Sequence, residues 1–197
     1  MKNIKIAVTG GIGSGKSAVL EIIHQLGYDV VSCDEVYKQL LQEDDFVKKV
    51  SSKMGVNPII ADGKLFLDRK AISNVVFNDK NKLKTLNEFT HGSILERAFS
   101  LSSADIVFYE VPLLFEGGYE YLFDHVFVVV RNYESRVISA MKRDGVTKEE
   151  IERKIKNQVD YDKIDLSLHT VIENNLGIDE LRAVVVNAIE EIKKESL

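Results

Sequence analysis

The stretch of sequence that decides the fold is Gly10-Gly11-Ile12-Gly13-Ser14-Gly15-Lys16-Ser17. It contains the complete pattern Gly-x4-Gly-Lys-Ser, in which glycines let the backbone approach a phosphate and successive N–H groups converge on the anion. An apolar segment at residues 4–8 precedes it, and an amphipathic segment at residues 17–26 follows it. We therefore predict a strand, a loop that binds the triphosphate of a nucleotide, and a helix, in an enzyme that transfers or hydrolyses the terminal phosphate.

The loop predicts separate contacts to a bound nucleotide. We expect Lys16 to reach the β- and γ-phosphates and the hydroxyl of Ser17 to bind Mg²⁺. The residues predicted to bind the nucleotide are Gly11, Ile12, Gly13, Ser14, Gly15, Lys16, Ser17 and Ala18. The alternative interpretation is a glycine-rich turn before a helix.

Other apolar segments extend the strand prediction along the chain. They are short and rich in β-branched or aromatic residues, and they lie at residues 28–31, 106–111, 126–130 and, as the weakest, 170–172. Their nearly continuous apolar character is typical of strands covered on both faces of a parallel sheet. Because helical patterns alternate with them, we predict a doubly wound α/β fold with about five parallel strands.

Three helix ends can be predicted from residue types. Gly27 is expected to end the helix after the loop. Thr147 and Glu150 have the spacing of a capping box, which predicts a helix that runs to about Val159. Asp179 is expected to cap a last helix. The apolar face of that helix comprises Leu181, Val184, Val185, Ala188 and Ile192.

The 197-residue chain fits a single domain, residues 1–197, with a smaller inserted lobe. The predicted core comprises residues 1–34, 101–130 and 166–197, and residues 35–100 form an inserted, mostly helical lobe. Residues 131–165 contain nine Lys or Arg and eight Asp or Glu. Such a segment is either a solvated helical face or a mobile lid that brings arginines onto phosphates.

Two carboxylates end predicted strands. In an open α/β sheet, ligands bind beyond the carboxyl ends of the strands. Asp34 is therefore expected to accept the proton of an attacking hydroxyl, with capping of the next helix as a compatible alternative. Glu110 either holds water molecules of the Mg²⁺ ion or is a surface acid at a strand end. The four histidines show no metal-ligand spacing.

Composition excludes several classes of protein. A formal net charge of −5 argues against extended nucleic-acid binding. No run reaches the ~20 apolar residues of a membrane span, and the first residues lack the apolar stretch of a signal peptide. Cys33 is the single cysteine, which excludes an internal disulfide. We therefore expect a cytoplasmic protein that associates with neither nucleic acid nor membrane, with Cys33 as a small apolar filler.

Segments along most of the chain match the pattern of one family. The most specific are Val111-Pro112-Leu113-Leu114-Phe115-Glu116 and Val171-Ile172-Glu173-Asn174-Asn175. Further matches are the loop with Val8 and Thr9 before it, Val30-Val31-Ser32-Cys33-Asp34, Asp62-Gly63, Leu67-Asp68-Arg69, Val76-Phe77, Thr90-His91, Arg143-Asp144-Gly145 and Gln158. On these residues the chain resembles the dephospho-CoA kinase family, a group of P-loop kinases with an inserted helical substrate lobe and a helical lid.

The chain departs from that family's pattern at several positions. Ala18 replaces the usual threonine after the loop serine, and Glu110 stands where the family mostly has aspartate. Gly92 replaces the proline of a Thr-His-Pro step.

The largest departures lie in and after the predicted lid. The family's Gln-x-x-Arg reads Arg136-x-x-Ser139, which removes one expected arginine and supplies another. The family's Ala-Asp before Val-Ile reads Leu168-His169. These differences affect the lid and adenine contacts, whereas the implied fold and reaction class are unaffected.

The resemblance implies transfer of the γ-phosphate of ATP, with Mg²⁺, to the ribose 3′-hydroxyl of dephospho-CoA, the last step of CoA biosynthesis. It implies that Asp34 activates this hydroxyl. We expect Arg143, with Arg136 as the weaker candidate, to stabilise the moving phosphoryl group. The catalytic residues predicted are Asp34, Lys16 and Arg143. The acceptor is expected to contact Asp34, Arg69, His91, Pro112 and Leu113.

Two alternative functions remain at this point. One is a different small-molecule P-loop kinase, acting on a nucleoside or nucleotide. The other is a GTP-binding switch, although the guanine-specific Asn-Lys-x-Asp has only a near match at Asn81-Lys82-Leu83-Lys84. The expected partner is a small-molecule substrate, and the expected state is a monomer or small homo-oligomer.

Overall fold

The computed structural model describes residues 3–195, apart from the side chain at position 162. The chain divides into two units, one made of residues 1–31 and 103–197 and the other of residues 32–102. The strands are β1 (Ile4–Thr9), β2 (Asp29–Ser32), β3 (Ile59–Ala61), β4 (Lys64–Phe66), β5 (Ile106–Glu110), β6 (His125–Val130) and β7 (Thr170–Glu173). The helices are α1 (Lys16–Gln25), α2 (Cys33–Leu40), α3 (Asp44–Met54), α4 (Arg69–Asn78), α5 (Lys80–Ser100), α6 (Leu114–Gly117), α7 (Tyr133–Asp144), α8 (Lys148–Lys156) and α9 (Ile178–Glu195).

The five segments predicted as strands form one sheet, in the order β2-β5-β1-β6-β7. Strand β1 pairs in parallel with β5 and β6, and β6 pairs in parallel with β7. The carboxyl ends of these strands therefore lie along one edge of the sheet, where ligands bind in open α/β folds. The predicted doubly wound α/β fold is confirmed.

The core of this unit contains apolar residues of the sheet and of helices α1 and α9. These helices pack against each other, α1 also packs on β1 and β5, and α9 packs on β7. The fully buried members include Ile6, Val8, Val19, Ile23, Phe108, Phe127, Ile172 and Val185. Burial on both sides of β1 explains why that strand lacks the alternation of a half-exposed strand.

Helices α7 and α8 form a pair with a small core of its own. Val137, Ala140 and Ile151 are its buried members, and Ile12 of the phosphate loop packs against them. The pair lies within residues 131–165, the segment predicted as either a solvated face or a lid.

The second unit consists mainly of helices, as predicted for residues 35–100. Helix α5 packs against α2, α3 and α4. Phe46 of α3 and Phe89 of α5 stack with ring centroids 5.9 Å apart, and Lys53 lies over the Phe89 ring.

A short hairpin in this unit was not predicted. Strands β3 and β4 pair in antiparallel fashion around Asp62 and Gly63, which have φ values of 50° and 74°. Two positive φ values are required by the tight turns that join such strands, and Asp-Gly is a preferred sequence for them. The signal was present in the sequence, but the three-residue strands are exposed and carry no core pattern.

Two of the three predicted helix ends are confirmed. Gly27, with φ of 90°, follows Leu26, the C-cap of α1, in the left-handed conformation that ends many helices. Thr147 and Glu150 form the capping box of α8, since Thr147 Oγ1 accepts from Glu150 N (3.3 Å) and Glu150 Oε2 accepts from Thr147 N (3.1 Å). The prediction for Asp179 is wrong, because α9 begins at Ile178 and places Asp179 inside its first turn. An acid in the first turn also interacts favourably with the helix dipole, so an acid near the start of a helix does not by itself identify the N-cap.

None of the helices within residues 3–195 has the length and apolar character needed to span a membrane.

Candidate functional site

The phosphate loop connects β1 to α1 with the backbone that the sequence predicted. Gly13 and Gly15 have φ values of 74° and 95°, a region that favours glycine. Gly15 is the N-cap of α1, so the first N–H groups of the helix point toward the loop. The segment therefore has the geometry of an anion site at the positive end of a helix.

Arg136, in the first turn of α7, lies directly against the loop. Its Nε donates to the carbonyl oxygen of Ile12 over 3.0 Å. A Cβ added to Gly11 would collide with the guanidinium of Arg136, and one added to Gly13 would collide with the Arg136 backbone. The close approach of the α7 backbone thus requires glycine at position 13, whereas at position 11 the Arg136 side chain would have to move.

Gln158 and Asn174 hold the loop from two further elements. Gln158 Oε1 accepts from the N–H of Ile12 over 2.8 Å. The buried Asn174, directly after β7, donates from Nδ2 to the carbonyl oxygen of Ser14 over 2.8 Å. Both residues were matched to the family pattern, yet neither was predicted as a site residue. The position of Asn174 at a strand's carboxyl end was the signal that could have identified it.

A buried tyrosine lies under the start of the loop. The hydroxyl oxygen of Tyr161 is 3.4 Å from Thr9 Oγ1, at the end of β1. Burial raises the pKa of Tyr161, so the phenol stays protonated at neutral pH. Phe115 packs edge-on against this ring, and His169 packs on Phe115. No pattern in the sequence pointed to Tyr161.

The loop's own polar side chains lie where β1 leads into α1. Lys16 Nζ donates to the carbonyl oxygen of Gly10 over 2.6 Å. Ser17 is exposed in the first turn of α1, with Ala18 after it. Glu110 is paired in register with Val8, two residues before the loop, and is half-buried. Lys16, Ser17 and Glu110 therefore belong to the same edge of the sheet.

The guanidinium of Arg143, which was predicted as the main lid arginine, pairs with Asp144. Its Nε donates to Asp144 Oδ1 over 2.7 Å, and Nη2 donates to Asp144 Oδ2 over 3.3 Å. Lys154 of α8 also binds Asp144, over 3.0 Å. The structure thus brings Arg136 to the loop and pairs Arg143 with its neighbour Asp144.

Pro112 and Leu113 follow β5 at the carboxyl edge of the sheet. Pro112 is half-buried and Leu113 is 47% exposed at the start of α6. The carbonyl oxygen of Leu113 accepts from the N–H of Gly117, which closes the short helix. Leu113 therefore presents an apolar side chain to solvent.

Asp34, Arg69 and His91 belong to the second unit. They lie on α2, α4 and α5, and α5 packs against both other helices. Asp34 and Arg69 are exposed, whereas burial lowers the pKa of His91 and favours its neutral form.

Asp34 does not have the capping role proposed as its alternative. Helix α2 begins at Cys33, with Ser32 as its N-cap, so Asp34 is already inside the first turn. Cys33 itself is buried, as expected of a small apolar filler.

Comparison with known proteins gives consistent matches over nearly the whole chain. A family model described as dephospho-CoA kinase matches residues 4–180. A dephospho-CoA kinase of Listeria monocytogenes is 31% identical over 196 residues, which cover 96% of this chain and 97% of that protein. A solved structure of dephospho-CoA kinase from Campylobacter jejuni has 31% identity and a TM-score of 0.63, with 98% of each chain covered. A crystal structure of a Thermus thermophilus protein has 29% identity and a TM-score of 0.76, with 97% of this chain and 98% of that chain covered.

These matches do not favour the two alternatives that the sequence left open. The family model and the named relatives are kinases of one kind, and none of them is described as a nucleoside kinase or a GTP-binding switch.

Proposed function

The chain belongs to the dephospho-CoA kinase family, and we propose that it transfers the γ-phosphate of ATP to the ribose 3′-hydroxyl of dephospho-CoA, giving CoA and ADP. The observation that carries the proposal is the phosphate loop, which Arg136, Gln158 and Asn174 fix from three other elements of the same unit. Donors fixed in this way stabilise the charge of a transferred phosphoryl group without reorganising during the reaction.

Asp34 is the proposed base of the reaction. The 3′-oxygen forms a bond to the γ-phosphorus while the bond from that phosphorus to the oxygen bridging to ADP breaks, and the hydroxyl proton passes to the Asp34 carboxylate. The exposure of Asp34 and its lack of a capping hydrogen bond support this role, because the carboxylate is available to a substrate.

Lys16 and the loop amides are proposed to bind the β- and γ-phosphates. In the structure Lys16 Nζ lies 2.6 Å from the carbonyl oxygen of Gly10, within the loop that would surround these phosphates. Gly11, Ile12, Gly13, Ser14, Gly15, Ser17 and Ala18 complete the proposed nucleotide site.

The residues beside the loop fit a magnesium ion shared with the nucleotide. The described residues contain no cluster of three His, Cys, Asp or Glu that could hold a metal by themselves. Mg²⁺ commonly keeps several waters and binds few protein groups together with substrate phosphates. We propose that the Ser17 hydroxyl binds the ion directly and that Glu110 binds its waters. When bound, Mg²⁺ neutralises charge on the β- and γ-phosphate oxygens.

The lid is proposed to supply positive charge during transfer. Arg136 already contacts the loop through Ile12, and Arg143 reaches the phosphates only after releasing Asp144. Removal of an arginine that stabilises the transferred group lowers turnover by about 10³-fold or more. Closure of the lid over the nucleotide also keeps water from competing with the acceptor.

The acceptor is proposed to bind Arg69, His91, Pro112 and Leu113 in addition to Asp34. Arg69 offers a guanidinium to an anionic group, and the neutral form of His91 offers a hydrogen bond. The exposed Leu113 offers an apolar surface for part of the ligand.

The test is ADP release coupled to dephospho-CoA, measured for wild type, Asp34→Asn and Glu35→Gln. Loss of a general base lowers turnover by about 10²- to 10⁴-fold, which we expect for Asp34→Asn. Glu35 is the adjacent exposed acid, whose Lys38 ion pair contributes little, so its variant is expected to keep wild-type turnover. Folded wild-type protein that releases no ADP in the presence of dephospho-CoA would overturn the function, and full activity of Asp34→Asn would overturn the role of that residue.

A further inference from the structure

Arg131 is a cation beside the phosphate loop that the proposed mechanism does not use. It directly follows β6, the neighbour of β1 in the sheet. The carbonyl oxygen of Val129, two residues earlier, lies against Gly10 of the loop. Arg131 is therefore at the carboxyl edge of the sheet, where β1 leads into the loop.

The guanidinium of Arg131 is held at one end only. Its Nη1 donates to Ser139 Oγ over 2.8 Å. Its Nε is buried and has no hydrogen-bond partner among the side chains and backbone groups that the structure describes. Buried donors are nearly always paired, because an unpaired one costs stability. A half-buried guanidinium with an unused donor is a ready site for an anion.

Ser139 places that guanidinium on the face of α7 that meets the loop. Arg136 and Ser139 are three residues apart on the helix, so they lie on the same face about one turn apart. Arg136 contacts Ile12 of the loop. The guanidinium on Ser139 therefore extends the positive surface that begins at Arg136. Among the described side chains, neither arginine forms an ion pair.

We propose that Arg131 binds the polyphosphate of the nucleoside triphosphate and that Ser139 positions it for that contact. The proposal rests on the nucleotide site proposed above and adds a phosphate-binding residue to it. It differs from a purely structural role, in which Arg131 only ties β6 to α7 through Ser139.

The phosphate-binding role and the purely structural role of Arg131 predict different results for ATP binding. The variants are Arg131→Gln, the double variant Arg131→Gln with Ser139→Arg, and Arg153→Gln, an exposed arginine of α8, as the matched control. Dissociation constants for ATP and for inorganic tripolyphosphate are measured by calorimetry without acceptor, and thermal unfolding reports on the fold.

Arg131→Gln is expected to weaken both ligands about tenfold to a hundredfold, as for the loss of a hydrogen bond to a charged group, with little change in unfolding temperature. The double variant is expected to recover most of this affinity, because it places a guanidinium at position 139, one turn from Arg136 on α7. Arg153→Gln is expected to bind as wild type does. Unchanged affinity of Arg131→Gln would overturn the proposal. Weaker binding with a lowered unfolding temperature and no recovery in the double variant would assign Arg131 the structural role instead.

These measurements separate failure of this proposal from failure of the proposed function. Because no acceptor is present, the ATP and tripolyphosphate affinities test Arg131 whatever molecule receives the phosphate. Wild-type protein that binds ATP but does not phosphorylate dephospho-CoA would leave the role of Arg131 intact and overturn only the acceptor.

Discussion

Gly15 is constrained twice, once by its backbone and once by a neighbouring side chain. Its φ of 95° disfavours any residue with a Cβ, and a Cβ there would collide with Nδ2 of Asn174. The same amide group donates to the carbonyl oxygen of Ser14. Asn174 thus fills the space that the glycine leaves, and the loop conformation depends on a residue 160 positions away along the chain.

Substitution of Asn174 tests this dependence. Asn174→Ala removes a buried hydrogen bond to Ser14 and is expected to cost about 1–3 kcal/mol of stability. Asn174→Asp keeps the size but directs a carboxylate at the Ser14 carbonyl oxygen, and its charge also repels phosphate. We expect its dissociation constant for ATP to rise at least about tenfold, measured by calorimetry, with stability followed by thermal unfolding.

Asn175 provides the matched control for this substitution. Its Oδ1 accepts from the N–H of Asn132 over 2.8 Å, so Asn175→Ala removes a similar bond one residue away without touching the loop. Asn175→Ala is expected to bind ATP as wild type does. An Asn174→Asp protein with unchanged ATP affinity would show that the loop keeps its conformation without the amide.

At the scale of elements, one carboxylate joins helices α7 and α8. Asp144, at the end of α7, accepts from Arg143 of the same helix and from Lys154 of α8. Hydrogen bonds from Arg143 and then Lys154 lower the pKa of Asp144 from the ordinary 3.8 to about 2. The ionised carboxylate is therefore favoured in the folded lid.

This shift predicts a pH dependence that Asp144→Asn removes. Because the folded pKa is the lower one, the contribution of Asp144 to stability is complete above the ordinary value of 3.8 and is lost as the pH falls toward about 2. The urea midpoint of wild type is expected to exceed that of Asp144→Asn at pH 6, and the difference should shrink across this acid range. Glu134→Gln, which changes another carboxylate of α7, is the control for the removal of one negative charge. A wild-type advantage over Asp144→Asn that persists at pH 2 would contradict the assignment.

At the scale of the whole molecule, the sheet could be predicted because its strands are buried on both faces. Residues 126–130 are all apolar, so they lack the polar positions that a half-exposed helix would show. Glycine or polar residues mark the ends of neighbouring segments.

The hairpin at residues 59–66 was missed because its strands are exposed and short, so only its Asp-Gly turn carried information. The cap of α9 was predicted two positions too late, at Asp179, because an acid is favourable both at the cap and in the first turn.

The site could be predicted only where one continuous segment builds it. The phosphate loop is such a segment, because its glycines, lysine and serine act through their own backbone and the next helix. Arg136, Gln158 and Asn174 act on the loop through contacts more than 100 residues away in sequence, and no spacing rule describes such contacts. Which of Arg136 and Arg143 contacts the loop could not be predicted for the same reason, since only the packing of α7 decides which guanidinium meets the loop.

The division of the chain into two units predicts that the two substrates protect different residues from hydrogen exchange. The loop, α1 and α7 belong to the unit of residues 1–31 and 103–197, whereas Asp34, Arg69 and His91 belong to residues 32–102. We expect ATP to slow exchange chiefly in β1, the loop and α1, and dephospho-CoA to slow it chiefly in α2, α4 and α5. At ligand concentrations of about 100 Kd, linkage slows the most protected amides by up to about a hundredfold.

Mass spectrometry of the full chain after exchange measures this protection for each segment, and Asn174→Asp serves as the variant that separates the two ligands. Its weakened loop should lose protection by ATP in β1 and α1, while dephospho-CoA continues to protect α2, α4 and α5. The assignment of the acceptor to Asp34, Arg69 and His91 fails if dephospho-CoA protects only the unit that contains the loop. Because each ligand is added separately, this outcome does not affect the proposed nucleotide site at residues 10–17. It changes only the proposed position of the acceptor's binding site.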